Sequence, residues 1–94
     1  YLERYKGEIK MPTICRFEGY VIAMRLRNKE HEPPHLHVTY GEKEAAFSLS
    51  DGEMIEGMIP KKGQALVKEF ILHYQKRLYE MWEKQNFERL APLD

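Results

Sequence analysis

The residues in this chain best suited to chemistry are three histidines, His31, His35 and His37, packed into the run HEPPHLHV. Neutral imidazoles bind zinc, nickel, copper or iron, and two of them at positions i and i+2 of a strand share one face. His31 is a candidate third ligand, and Glu30, Glu32 or Glu44 offers a carboxylate. On this reading the three histidines hold a divalent transition metal such as zinc. The chain would then be a metal-dependent hydrolase or nuclease, with Glu32 or Glu44 as general base. Pro33-Pro34 argues the other way: an extended proline segment rises ~3.1 Å per residue and separates His31 from His35 unless the loop bends back. A lone H-x-H pair with no second cluster of Cys or His is also a short motif for a metal site. The plain alternative is a pair of exposed strand histidines behind a proline loop that stiffens the entry and blocks extra edge pairing.

A second candidate is anionic recognition. Lys61 and Lys62 follow Pro60 at the start of a helical segment, where cations oppose the helix dipole at a cost of a few tenths of a kcal/mol each. Helix N-termini attract anions through N–H groups that lack intrahelical partners. Arg25, Lys61 and Lys62 could therefore join the histidines in holding a phosphate, a nucleic acid or an acidic partner; the competing reading is ordinary surface lysine. His73 sits at the boundary of the helix's apolar arc and reads as a core-edge residue. Leu72 and Tyr79, in line with Ala65, lie on the polar side of the helix at a spacing of seven, which fits a partner surface or homodimer seam. No catalytic residue can be named. Cys15 has no histidine beside it in sequence, Ser48 and Ser50 lack an oriented third group, and no phosphate-cradling glycine loop or H-E-x-x-H is present.

The elements that must position these side chains can be read from periodicity. Ile14 to Phe17 forms a short strand and residues 20 to 26 a second. Residues 35 to 40 and 43 to 49 form a hairpin around Gly41-Glu42, a two-residue loop with glycine first, the type II′ pattern. That turn sets Tyr40 against Lys43, Val38 against Ala45 and Leu36 against Phe47. Alternation then gathers Leu36, Val38, Tyr40, Ala45, Phe47 and Leu49 on one face. His35, His37, Thr39, Glu44, Ala46 and Ser48 fall on the other. The segment SDGEMIEGMIP is rich in turns, with room for a short strand. Pro60 opens a helix that the pattern carries from Lys61 to about Phe87. Leu66, Val67, Phe70, Ile71, Tyr74, Leu78, Met81 and Trp82 form its apolar stripe. The expected architecture is α+β: a small antiparallel sheet of three to four strands with one long C-terminal helix packed on one face. The helix covers Leu36, Val38 and Phe47, so His35 and His37 should point outward, away from it.

The chain has 94 residues, enough for one small domain and a modest core. Residues 1–10 are polar and read as an N-terminal extension ahead of a single domain spanning 11–94. Formal net charge is zero, so sequence-independent nucleic-acid binding would need a local basic patch. A single cysteine, the lack of a signal-like opening and the lack of a long apolar run fit a cytoplasmic protein with no membrane span.

The run MPTICRFEGYVI, then HEPPHLHVTYGE, then IEGMIP ahead of ALVKEFILHYQKRLYEMWE, resembles a small bacterial family, domain of unknown function 4160, across residues 11–84. Pro12-Thr13-Ile14, Arg16-Phe17, Gly19, His31, Pro33-Pro34-His35, His37-Val38, Tyr40-Gly41, Glu56-Gly57, Pro60, Leu66-Val67, His73 and Trp82 match in order. Phe70 departs from a tryptophan in the pattern, and residues 1–10 are additional. The resemblance implies a small cytoplasmic bacterial protein whose gene lies beside another small gene, in an arrangement like a toxin–antitoxin pair. It raises the weight of His31, Pro33, Pro34, His35, His37 and Lys61 or Lys62 as functional positions, and it carries no assured metal. The expected function is thus a binding module for a small partner protein encoded nearby, or for an anionic ligand or nucleic acid, through the His-rich loop and strand face. The metal-dependent enzyme and a structural interaction scaffold are the alternatives.

Overall fold

The computed structural model describes residues 12–24 and 33–93. Five strands come first: β1 (Thr13–Phe17), β2 (Tyr20–Ala23), β3 (His35–Tyr40), β4 (Lys43–Ser48) and β5 (Met54–Gly57). Two helices follow, α1 (Lys61–His73) and α2 (Gln75–Lys84). The strands form one antiparallel meander in chain order, β1-β2-β3-β4-β5. The chain is therefore α+β, with two departures from the expected layout. The sheet has five strands rather than three to four, because Met54–Gly57 pairs with Ala45–Phe47 in spite of its brevity and turn-rich flanks. The expected single helix is two, divided at Tyr74.

The β3–β4 hairpin has the register that its turn demands. Leu36 faces Phe47, Val38 faces Ala45 and Tyr40 faces Lys43. Gly41 has φ +60 while Glu42 does not enter the left-handed region, as a type II′ turn requires. At the β1–β2 turn both central residues, Glu18 (φ 46) and Gly19 (φ 86), are left-handed, the type I′ alternative. Each turn matches the right-handed twist of its strands.

Leu36, Val38, Ala45, Phe47 and Leu49 are buried together with Ile14, Cys15, Tyr20, Ile22 and Met24. Val67, Phe70, Ile71, Leu78, Met81 and Trp82 close the core from the helices. Each fully buried large apolar side chain contributes about 1.5–3 kcal/mol relative to exposure. Gly63, in the first turn of α1, lies directly against Tyr20.

Tyr74 leaves helical geometry, with φ -104 and ψ 20. The hydrogen-bond ladder survives on both sides, from Tyr74 N to Phe70 O (3.0 Å) and from Leu78 N to Tyr74 O (2.8 Å). Tertiary ties converge here. The Tyr74 hydroxyl donates to Ala91 O at 2.9 Å, and Gln75 Nε2 donates to Leu49 O and Ser50 O, both at 2.8 Å. The chain beyond α2 then returns to β1, where Leu90 N donates to Ile14 O at 2.8 Å. Among the described residues no helix is long and apolar enough to cross a membrane.

Candidate functional site

β3 places His35 and His37 two residues apart, so both side chains leave the sheet in the same direction. His35 Nδ1 lies 2.8 Å from Pro33 O. A carbonyl only accepts, so Nδ1 carries a proton; in a neutral ring Nε2 is then the acceptor. That Nε2 lies 3.2 Å from His37 Nε2, and the ring centroids are 5.0 Å apart. With both rings neutral, His37 Nε2–H donates to His35 Nε2. Cross-strand neighbours of His37 are small: Ala23 on β2 and Ala46 on β4.

The expectation that these imidazoles point outward is corrected. His35 is fully buried and His37 is 5% exposed. Leu36 and Val38 remain fully buried as well, so the first four residues of β3 are covered on both sides. The His35 ring lies 5.1 Å from that of Trp82 in α2, so it meets the C-terminal helical segment instead of facing away from it. Alternation sets which side a residue takes; it does not set what covers that side.

The proposed constellation divides. Pro33 is exposed and Pro34 half-buried at the entrance to β3, next to the histidine pair. Lys61 and Lys62 sit by Gly63, which packs on Tyr20, and Tyr20 pairs with Tyr40 at the far end of β3. Five residues of strand, ~17 Å, separate that end from His35. The lysines and the histidine pair are therefore distinct places. Arg25 and His31 lie outside the described residues, as do Glu30 and Glu32. Glu44 is exposed opposite Thr39.

Lys62 Nζ pairs with Glu18 Oε1 at 3.3 Å across the β1–β2 turn, with both side chains largely exposed. Lys61 instead lines a shallow cavity of about 290 Å³ between β5 and α1, with Phe47, Met54, Gln64, Ala65 and Lys68 among its walls. Lys68 is ion-paired with Glu53, whose carboxylate holds the ammonium proton more tightly than usual. Gln64 Nε2 donates to Ile59 O at 2.8 Å and touches Met58 Sδ at 3.6 Å, which ties the cavity to the loop before α1. Met58 is 61% exposed and Ile55 41%. The first turn of α1 contains no acidic residue, and Pro60 contributes no side-chain cap.

Ser48 and Ser50 bond to each other, with their hydroxyl oxygens 2.7 Å apart. His73 is exposed and edges onto the Tyr74 ring at 4.6 Å. Leu72 is exposed, but Tyr79 packs against the core, so the expected Leu72–Tyr79 seam is not a continuous exposed stripe. Cys15 is a buried thiol whose pKa is pushed up by burial, opposed by Arg89 and the Arg16 backbone. Among the described residues no group of three or more His, Cys, Asp or Glu is placed to hold a metal. Sequence reasoning missed three contributors: the Pro33 carbonyl, the Trp82 ring and the pair Ile55 and Met58. Trp82 carries no sign in its helical spacing that separates a wall of the histidine site from an ordinary core residue.

Comparison with curated proteins and with solved structures finds no match. The model of the family described as domain of unknown function (DUF4160) matches residues 19–83, which include β2 through most of α2 and all of the residues that build the histidine pair and the lysine cavity. The chain belongs to the DUF4160 family.

Proposed function

We propose that this protein is a small binding module that captures an acidic, partly apolar segment of a partner protein, the product of a neighbouring gene in a toxin–antitoxin-like pair. The supporting observation is the surface where β5 meets α1. Exposed Met58 and Ile55 adjoin a cavity rimmed by Lys61, at a helix N-terminus that has neither an acidic first turn nor a side-chain cap. A carboxylate of the partner meets Lys61 and the positive end of the helix dipole. An apolar side chain of the partner covers Met58 and Ile55. Lys62 and Lys68 already have acidic partners, so Lys61 carries most of the attraction. Burial of His35 and His37 assigns those rings no direct contact with the partner.

The test is co-expression with the product of the adjacent gene, followed by calorimetric measurement of affinity over a salt series. Lys61→Glu should weaken binding by about tenfold and flatten its salt dependence, since a lost attraction becomes a repulsion worth about 1.4 kcal/mol. Met58→Asn, which removes the apolar contact without adding charge, should also weaken it but without that change in salt slope. Unchanged affinity in both variants refutes the reading.

A further inference from the structure

We propose that Met58 is an oxidation switch for the surface where β5 meets α1: a hydroperoxide converts its thioether to the sulfoxide and so lowers affinity for the partner, an inference that rests on the partner-capture reading. Three observations converge on this sulfur. First, Met58 is 61% exposed, whereas Met24 and Met81 are 0% and 3% exposed and Met54 is half-buried. Among the described methionines, an oxidant in solution therefore meets Met58 first. Second, Met58 stands beside exposed Ile55, and Gln64 ties it to the cavity that Lys61 lines, so a change from apolar to polar falls on the contact surface itself. Third, Gln64 Nε2 gives one N–H to Ile59 O at 2.8 Å and reaches Met58 Sδ at 3.6 Å with the other. A thioether is a weak acceptor, so that donor is poorly used until the sulfur carries an oxygen.

The step balances with hydrogen peroxide as the oxidant. The Met58 sulfur attacks one peroxide oxygen; an S–O bond forms as the O–O bond breaks, and sulfur gives up two electrons. The proton on the transferred oxygen passes to the departing hydroxide, which leaves as water. The new side chain is polar, and its oxygen accepts the second Gln64 N–H. That bond holds the sulfoxide at the cavity, where it meets the apolar side chain of the partner with a dipole. The backbone keeps its place, because Met58 N donates to Glu44 O at 3.0 Å and the exposed side chain adds little to the core. Oxidation thus alters the surface and leaves the fold intact. Methionine sulfoxide reductases return the thioether with two electrons from thiols, so the switch is reversible.

The experiment treats the full 94-residue chain with hydrogen peroxide and follows each methionine by mass spectrometry of its peptides. Met58 should oxidise at least about tenfold faster than Met24 and Met81, and Tm should hold. Nitrogen-15 spectra should show the Gln64 side-chain amide moving as the sulfoxide forms. Calorimetry against the adjacent gene product should show affinity about tenfold weaker after oxidation, recovered by methionine sulfoxide reductase. In Met58→Leu, peroxide should leave the variant's own starting affinity unaltered, whatever that is, since the reactive sulfur is gone. Met58 oxidation no faster than that of the buried methionines, an unmoved Gln64 amide, a fall in Tm that tracks the lost affinity, or a peroxide response that persists in Met58→Leu overturns the proposal. Full affinity in the oxidised chain beside a weakened Met58→Asn overturns the switch and leaves partner capture standing. Full affinity in both removes the apolar contact from the capture surface, and the switch falls with it.

Discussion

Gly63→Ala tests how closely the lysine end of α1 is clamped to the sheet. A Cβ at position 63 would stand 2.2 Å from Tyr20 Cε1, 2.4 Å from its Cζ and 2.6 Å from its Oη. The ring would have to retreat by about 1.2 Å to reach ordinary contact distance. It has little room to do so. Tyr20 is 5% exposed, stacks on Tyr40 at 4.2 Å and lies 5.9 Å from Phe17. Overpacking of this kind costs about 1–3 kcal/mol. Alanine's better helix propensity returns at most about 1 kcal/mol. A net destabilisation of about 1–2 kcal/mol follows, a fall in Tm of ~4–16 °C for a domain of this size. Urea unfolding and thermal melts measure it. The decisive comparison is the same change in a Tyr20→Ala background, where the obstruction is gone and Gly63→Ala should become neutral or stabilising. A wild-type background that tolerates Gly63→Ala, or a penalty that persists without the Tyr20 ring, refutes the proposed contact.

Gln75→Ala removes both amide donations to Leu49 O and Ser50 O. Only the exposed Ser50 carbonyl readily regains water, so about 1 kcal/mol should be lost, visible as a lower urea midpoint and faster amide exchange around Leu49. Cys15 makes a prediction about pH. Burial raises its folded pKa, so the folded state holds the thiol proton more tightly than the unfolded state does. The associated stability is fully present below the unfolded thiol pKa of ~8.5 and is lost as pH rises from there toward the folded value. Wild type should therefore lose more stability between neutral and alkaline pH than Cys15→Val, and equal losses would contradict the buried-thiol account.

Legibility from sequence tracked the range of the interactions involved. The β3–β4 register follows from Gly41-Glu42 and from alternation over six residues, and all the expected pairs form. The apolar stripe of the helices also emerges as read, with Val67, Phe70, Ile71, Leu78, Met81 and Trp82 buried. β5 was harder to read: four residues between glycines make a faint pattern, and pairing with β4 is what makes them a strand. The candidate site split for a similar reason. The grouping of His35 and His37 is local, but the distance from them to Lys61 depends on where α1 lands on the sheet.

Sequence alone thus determined the hairpin turn, the strand faces and the shared direction of His35 and His37, because each depends on backbone geometry within a few residues. Tertiary structure alone decided that the helix divides at Tyr74, that Trp82 reaches the His35 ring, and that the two Nε2 atoms meet at 3.2 Å. Those outcomes require segments distant in the chain to pack against one another. No local periodicity records the carbonyls, rings and helix ends that such packing brings together.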